Sequence, residues 1–135
     1  MLVSESYHTP DMYYATGFLA PDRFVYVRQG DREYLFVSQM EYGRAKKESR
    51  VQRVHSMEEY DYTGRLRALR DPDKALVDTL AAIFSSLNIN KVRVPSDFSI
   101  LLGDLLRSKG IAVEPAQRLF EEARSVKTPA EIEKI

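Results

Sequence analysis

Apolar positions follow two different rhythms along this chain. Phe24-Val-Tyr-Val-Arg28 and Glu33-Tyr-Leu-Phe-Val-Ser38 are apolar at successive positions and rich in aromatic and β-branched residues, which predicts two strands. Neither alternates in and out, so the sheet they form is expected to be covered on both faces. Gln29-Gly30-Asp31-Arg32 between them predicts a tight hairpin, with Gly30 supplying a positive φ. From Asp71 the rhythm becomes helical. Asp71-Pro72 is a cap followed by a first-turn proline, and Leu76, Leu80, Phe84 and Leu87 recur at helical spacing beside Val77 and Ile83. Asn88-Ile-Asn90 ends that helix and Lys91-Val-Arg-Val94 predicts a strand. Pro95-Ser96 then opens a helix striped by Phe98, Leu101, Leu102, Leu105 and Leu106, which Gly110 closes. Ile111-Ala-Val113 predicts another strand and residues 117–124 a last short helix. Helix and strand in close succession imply crossover units and a partly parallel sheet. With the hairpin in front, the expected fold is α/β with a mixed sheet.

The remaining stretches are less regular. Leu2-Val3 reads as a strand end, residues 7–10 as loop, and Pro21-Asp22 as a turn. Asp11 is placed to cap a single helical turn that Gly17 ends. Residues 39–48 read as a helix with Met40, Tyr42 and Ala45 available to pack, and Val51-Gln-Arg-Val54 as a short strand. Residues 56–63 are aromatic and acidic, with no clear periodicity.

The last stretch is a helix start. Thr128 is a good N-cap, Pro129 suits the first helical position, and Glu131 completes a Thr-x-x-Glu capping box. Ile132 and Ile135 begin an apolar stripe, but about two turns cannot sustain a helix alone in water. The expected organisation is therefore a front domain over residues 1–124, with residues 125–135 a linker and the first turns of a following domain.

Composition narrows the class. Apolar residues make up 44% and charged residues 30%, with 20 basic against 20 acidic side chains, as in globular domains. Cysteine is absent, so neither disulfides nor thiolate metal sites can form within these residues. No basic and apolar leader pattern opens the sequence and no apolar run reaches membrane length, which makes a cytoplasmic location the expectation and gives no membrane partner.

Candidate chemistry is sparse. His55-Ser-Met-Glu58 offers an imidazole and a carboxylate one turn apart, a spacing metal sites use, but such a site needs three or four ligands and His8 lies in a separate segment. Solvated or hydrogen-bonded histidines are the simpler reading. Glu58-Glu59 and Glu121-Glu122 are neighbours that point about 100° apart on a helix, so they do not converge on one atom. There is no Gly-x-Ser-x-Gly elbow and no phosphate loop. Arg44, Lys46, Lys47, Arg50 and Arg53, with Arg65, Arg67 and Arg70 behind them, lie near Tyr42, Tyr60 and Tyr62, residue types that bind and stack on nucleic acid. Zero net charge and interleaved Glu48, Glu58, Glu59 and Asp61 argue instead for a solvated face. Of the adjacent pair Tyr13-Tyr14, at least one belongs at a surface or interface.

Tyr14-x-Thr16-Gly17-Phe18 ahead of a hairpin, and Arg124-x-x-Lys127-Thr128-x-x-Glu131-Ile132 more than a hundred residues later, together resemble the N-terminal domain of the Xaa-Pro dipeptidase (prolidase), aminopeptidase P and creatinase family. The resemblance spans nearly the whole chain. It implies a ribonuclease-H-like α/β domain, its mixed sheet flanked by helices on both faces, set before a pita-bread catalytic domain. That second domain would carry two divalent metals, usually manganese or cobalt, and hydrolyse the bond before proline in peptide substrates. Its ligands fall outside this sequence, so no catalytic or metal-binding residue maps onto this chain. The resemblance further implies a domain that caps the active site and supports a homodimer, with Tyr14, Phe18 and His55 as the substrate-proximal candidates. Only Leu2-Val3 precedes the first loop, where family members commonly have a helix and a full strand. The alternative is a stand-alone protein-binding or assembly module without peptidase activity.

Overall fold

The computed structural model of the chain describes residues 1–116. The helix expected over residues 117–124, the linker at 125–135, and Arg124, Lys127, Thr128 and Glu131 lie outside the described residues. In chain order the elements are β1 (Leu2–Ser4), α1 (Pro10–Thr16), β2 (Phe24–Gln29), β3 (Arg32–Val37), α2 (Gln39–Glu48), β4 (Arg53–Ser56), α3 (Tyr62–Leu69), α4 (Pro72–Leu87), β5 (Lys91–Val94), α5 (Ile100–Ser108) and β6 (Ala112–Pro115). A single 3₁₀ turn, Met57–Tyr60, precedes α3.

The hairpin forms as its turn residues dictate. Gln29 pairs with Arg32, which leaves Gly30-Asp31 as a two-residue turn with Gly30 at φ +62°. β1 pairs antiparallel to β2, and β4 pairs parallel to β3 after the α2 crossover, so this four-stranded sheet is mixed. β5 and β6 form a separate parallel pair. The mixed sheet therefore divides into two ladders, which touch where the Met1 ammonium donates to the Arg93 carbonyl at 2.7 Å.

Both faces of the larger sheet are covered, as the non-alternating strands require. Val25, Val27, Tyr34 and Phe36 pack into one core with Leu76, Leu80, Ile83 and Phe84 of α4 and with Leu102 and Leu106 of α5. Phe24, Tyr26, Leu35 and Val37 pack into the other with Met12 and Ala15 of α1, Ala45 of α2, and Val54. A fully buried aliphatic or aromatic side chain contributes roughly 1.5–3 kcal/mol, so these two clusters supply most of the stabilisation. At the surface of the helical layer, Asp78 of α4 accepts from Arg65 of α3 and from Lys109 after α5, both at 2.8 Å. The Lys109 and Arg65 contacts hold its carboxyl below the ordinary range.

Several expected boundaries shift for local reasons. α1 begins at Pro10 behind Thr9, so Asp11 lies inside the first turn and is not its cap. Pro10 already has the φ a first helical residue needs. β4 starts at Arg53 rather than Val51, because the Val51 N–H is taken by the Ser49 hydroxyl and pairing with β3 begins at Arg53 opposite Tyr34. α5 starts at Ile100 rather than at Pro95-Ser96: Phe98 closes a turn onto the Pro95 carbonyl, and the Ser99 hydroxyl then caps the Leu102 N–H. Leu101 consequently faces out while Leu102 is buried. Met40 is 93% exposed and packs nothing in the core, which α2 reaches through the buried Ala45 and the half-buried Tyr42. The unassigned stretch is a capping box, with the Ser56 hydroxyl accepting from the Glu58 N–H and the Glu59 carboxylate accepting from the Ser56 N–H.

Candidate functional site

The Thr16-Gly17 segment is a latch. The Thr16 hydroxyl donates back to the Met12 carbonyl at 2.8 Å and accepts from the Phe18 N–H at 3.1 Å. Gly17 then takes the left-handed conformation, φ +64°, and its N–H donates to the Tyr13 carbonyl at 2.8 Å. The Thr16 carbonyl accepts from the Arg50 N–H at 2.7 Å and from the Ser49 hydroxyl at 3.2 Å. The Arg50 guanidinium reaches further, donating to the Ala15 carbonyl and to both Glu33 oxygens, each at 3.1 Å.

Glu33 is the hub of this network. Its Oε2 accepts from the Tyr26 hydroxyl at 2.6 Å as well as from Arg50. The Arg50 bond holds the Glu33 carboxyl below the ordinary range, and Glu33 in turn raises the Arg50 guanidinium. Burial, then the bond to Glu33, pushes the Tyr26 phenol up. The end of α1 is thus tied by one ion pair to the β2–β3 hairpin, and Tyr14 projects from that tied end.

A cleft of about 1040 Å³ opens beside this network. Tyr14 and Ala15 form one wall, the end of β2 and Gly30 another, and residues 88–93 a third, with Met1, Glu33 and Arg50 at its margins. Arg28, Arg50, Lys91 and Arg93 all line it, against Glu33 as the one carboxylate among the described residues that line it.

The expected site residues separate. Tyr14 is 48% exposed and lines the cleft. Phe18 is 0% exposed, enclosed by Phe24 edge-on at 5.5 Å and by the Arg44 guanidinium at 4.5 Å from its ring centre. It anchors the loop after Gly17, and any influence on a peptide passes through that loop's position. His55 lies on the other face of the sheet, stacked on Phe36 at 5.4 Å, with Nδ1 3.1 Å from Glu59. The structure does not bring it together with Tyr14. Nor does His55 pair with Glu58, whose carboxylate accepts from the Thr63 backbone and hydroxyl. His8 faces Glu5 at 3.4 Å. Among the described residues no three His, Cys, Asp or Glu side chains are placed to hold a metal, so the residues present do not fit the implied dimetal centre. Within the basic run, Arg44 pairs with Glu41 and Glu48, Arg50 with Glu33, and Arg65 with Asp78, so these three guanidinium groups are neutralised inside the domain.

Tyr26 and Glu33 carry no motif and were not among the sequence candidates, and Arg50 was considered only as a member of the basic run. Counting outward from a two-residue turn does place Tyr26 and Glu33 on the same face as diagonal neighbours. Nothing in the sequence places Arg50 there.

This architecture is that of proline-peptidase N-terminal domains. The X-Pro aminopeptidase of Thermotoga maritima MSB8 superposes with a TM-score of 0.72 at 17% identity, over 99% of this chain and 35% of that one. The Xaa-Pro dipeptidase of Bacillus anthracis gives 0.67 at 16% identity over 93% and 32%. The prolidase of Pyrococcus furiosus gives 0.62 at 20% identity over 93% and 32%. The chain thus spans about a third of the length of these proteins. Comparison with curated protein sequences found no match. The chain belongs to the Creatinase/Prolidase N-terminal domain family, whose profile matches residues 1–126. No helix among the described residues is long and apolar enough to cross a membrane.

Proposed function

We propose that this chain is the non-catalytic N-terminal domain of an Xaa-Pro dipeptidase or aminopeptidase, which caps the active site of a separate metal-bearing domain and supports a homodimer. The observation that carries this reading is the exposed aromatic end of α1, Tyr13 at 50% and Tyr14 at 48%, held rigidly by the Arg50–Glu33 latch. Half-exposed tyrosines on a fixed segment are suited to an interface, where the ring is covered and the hydroxyl stays wet. In such an enzyme the two divalent metals, manganese or cobalt, would activate water within the other domain. This domain's contribution would be to exclude bulk water and limit the length of proline-containing peptides. Tyr14 would stand nearest the peptide, with Phe18 holding its loop and His55 on the remote face.

The test is kinetic and uses the complete peptidase. Tyr14→Ala should raise KM for Xaa-Pro peptides, or change the preferred peptide length, by severalfold with metal content unchanged. Unchanged kinetics for peptides of every length would refute the substrate-facing role. Residues 1–135 alone, with manganese added, should show no turnover of a proline dipeptide.

A further inference from the structure

β4 is the last strand of the larger sheet, and among the described residues no strand pairs with its outer side. Parallel pairing uses the backbone groups of alternate residues, so one set of N–H groups turns toward β3 and the other turns outward. The two outward donors are both engaged. The Val54 N–H folds back onto the Gln52 carbonyl at 3.2 Å, a three-residue turn of the kind found at strand ends. The Ser56 N–H donates to Oε2 of Glu59 at 3.1 Å. Arg53 and His55 are therefore the residues that bond to β3, opposite Tyr34 and Phe36. The Ser56 carbonyl is used by the first turn of the 3₁₀ segment Met57–Tyr60. The Val54 carbonyl is left facing out.

Glu59 is itself held. Its Oε1 lies 3.1 Å from His55 Nδ1. A carboxylate only accepts, so Nδ1 carries the proton and donates. The imidazole is stacked on Phe36 at 5.4 Å and on Tyr34 at 6.3 Å, which fixes the direction of that bond. Glu59 cannot swing away without giving up both His55 and Ser56. The position it occupies is the one a second copy would need. Two β4 strands meeting antiparallel about a two-fold axis at His55 would be joined by two bonds. Each would run from the Ser56 N–H of one copy to the Val54 carbonyl of the other. We propose that Glu59, held by His55, closes the outer edge of β4 against pairing with a second copy of this chain. An open strand edge is a template for such pairing, and a charged side chain placed on it is one way to block it. Here the carboxylate both takes the donor and brings like charges together at the axis. This role is independent of the proposed peptidase reading and of whichever surface would carry a homodimer.

The experiment compares sedimentation of the wild-type chain, Glu59→Ala and Glu59→Gln from micromolar to millimolar concentration, with amide exchange read at Ser56. Glu59→Ala frees the donor and should self-associate at least ten-fold more tightly than the wild type, reversibly on dilution. Its Ser56 amide should exchange faster than in the wild type when dilute, and slow again as the chain associates. Glu59→Gln keeps an oxygen for the Ser56 N–H and should sediment as the wild type does. His55→Ala loosens Glu59 without removing it and should fall between. The Glu59 side chain is 44% exposed, so circular dichroism should show its variants folded. Reference to the wild type cancels any dimer contact elsewhere. Unchanged sedimentation of Glu59→Ala at every concentration would overturn the proposal. So would association that leaves the Ser56 amide exchanging fast, association with a general loss of amide protection, or equal association by Glu59→Gln. A His55→Ala chain identical to the wild type would overturn the histidine's part.

Discussion

A Cβ on Gly17 would lie 3.4 Å from the Arg50 Cβ, so the glycine that ends α1 and the arginine that latches it are in direct contact. Gly17 also needs φ +64°, a region that costs an L-residue roughly 1–2 kcal/mol. Gly17→Ala should therefore lower unfolding free energy by about 1–2 kcal/mol in urea titration. Gly17→Asn, better suited to that conformation, should lose less. Equal stability of all three proteins would show that the turn relaxes without cost.

Thr16 offers a separable test of the same turn. Its hydroxyl is buried, donating to Met12 and accepting from Phe18. Thr16→Val keeps the shape but leaves the Phe18 N–H without its acceptor, which should cost about 1–3 kcal/mol. Thr16→Ser keeps the hydroxyl and should recover most of that loss. Thermal melts of the two variants decide it.

Removing the latch should show in the titration of Glu33. Its carboxyl is depressed chiefly by Arg50, so it favours folding above the unfolded carboxyl range, and that contribution fades as pH falls through the folded value. In Arg50→Met the Glu33 carbon signal should titrate at higher pH than in the wild type. The variant should also lose less stability on acidification below about pH 4. Because Arg50 is half exposed, screening keeps the effect at neutral pH small.

The N-terminal ammonium predicts a second pH dependence, of opposite chemical sense. Its pKa falls from 8.0 to about 6 on burial, so the folded state prefers the neutral amine. Above pH 8 it makes no demand. Between pH 8 and pH 6 the unfolded chain binds a proton that the folded chain does not, so stability should fall by on the order of 2–3 kcal/mol and then level off. The Nα-acetylated chain should lack this step, and subtracting its profile removes any contribution from His8 and His55.

How much of this was legible beforehand depended on the range over which each signal acts. The hairpin and α4 announce themselves locally, through Gly30-Asp31 and through Asp71-Pro72 ahead of a regular apolar stripe. The double-covered sheet was also readable, because Val25 and Tyr26 are both apolar and are buried on opposite faces. Boundaries failed where a hydroxyl competed for the backbone, as Ser49 does before β4 and Ser99 before α5. The site was readable only in part. Tyr14 could be named from its motif, but Glu33, Arg50, Lys91 and Arg93 meet beside it only after sheet pairing sets their positions. Phe18 shares that motif and lies entirely inside.

The bond between Met1 and Arg93 also bears on how the chain matures during synthesis. The two residues are separated by 92 positions. Met1 must therefore wait for the synthesis of most of the described residues before its partner on β5 exists. The β2–β3 hairpin and its α1–α2 cover can assemble early from neighbouring sequence, whereas joining the two ladders is a late, long-range closure. Slowing translation between residues 40 and 90 should accordingly lengthen the life of a nascent chain in which β1 is held by β2 alone.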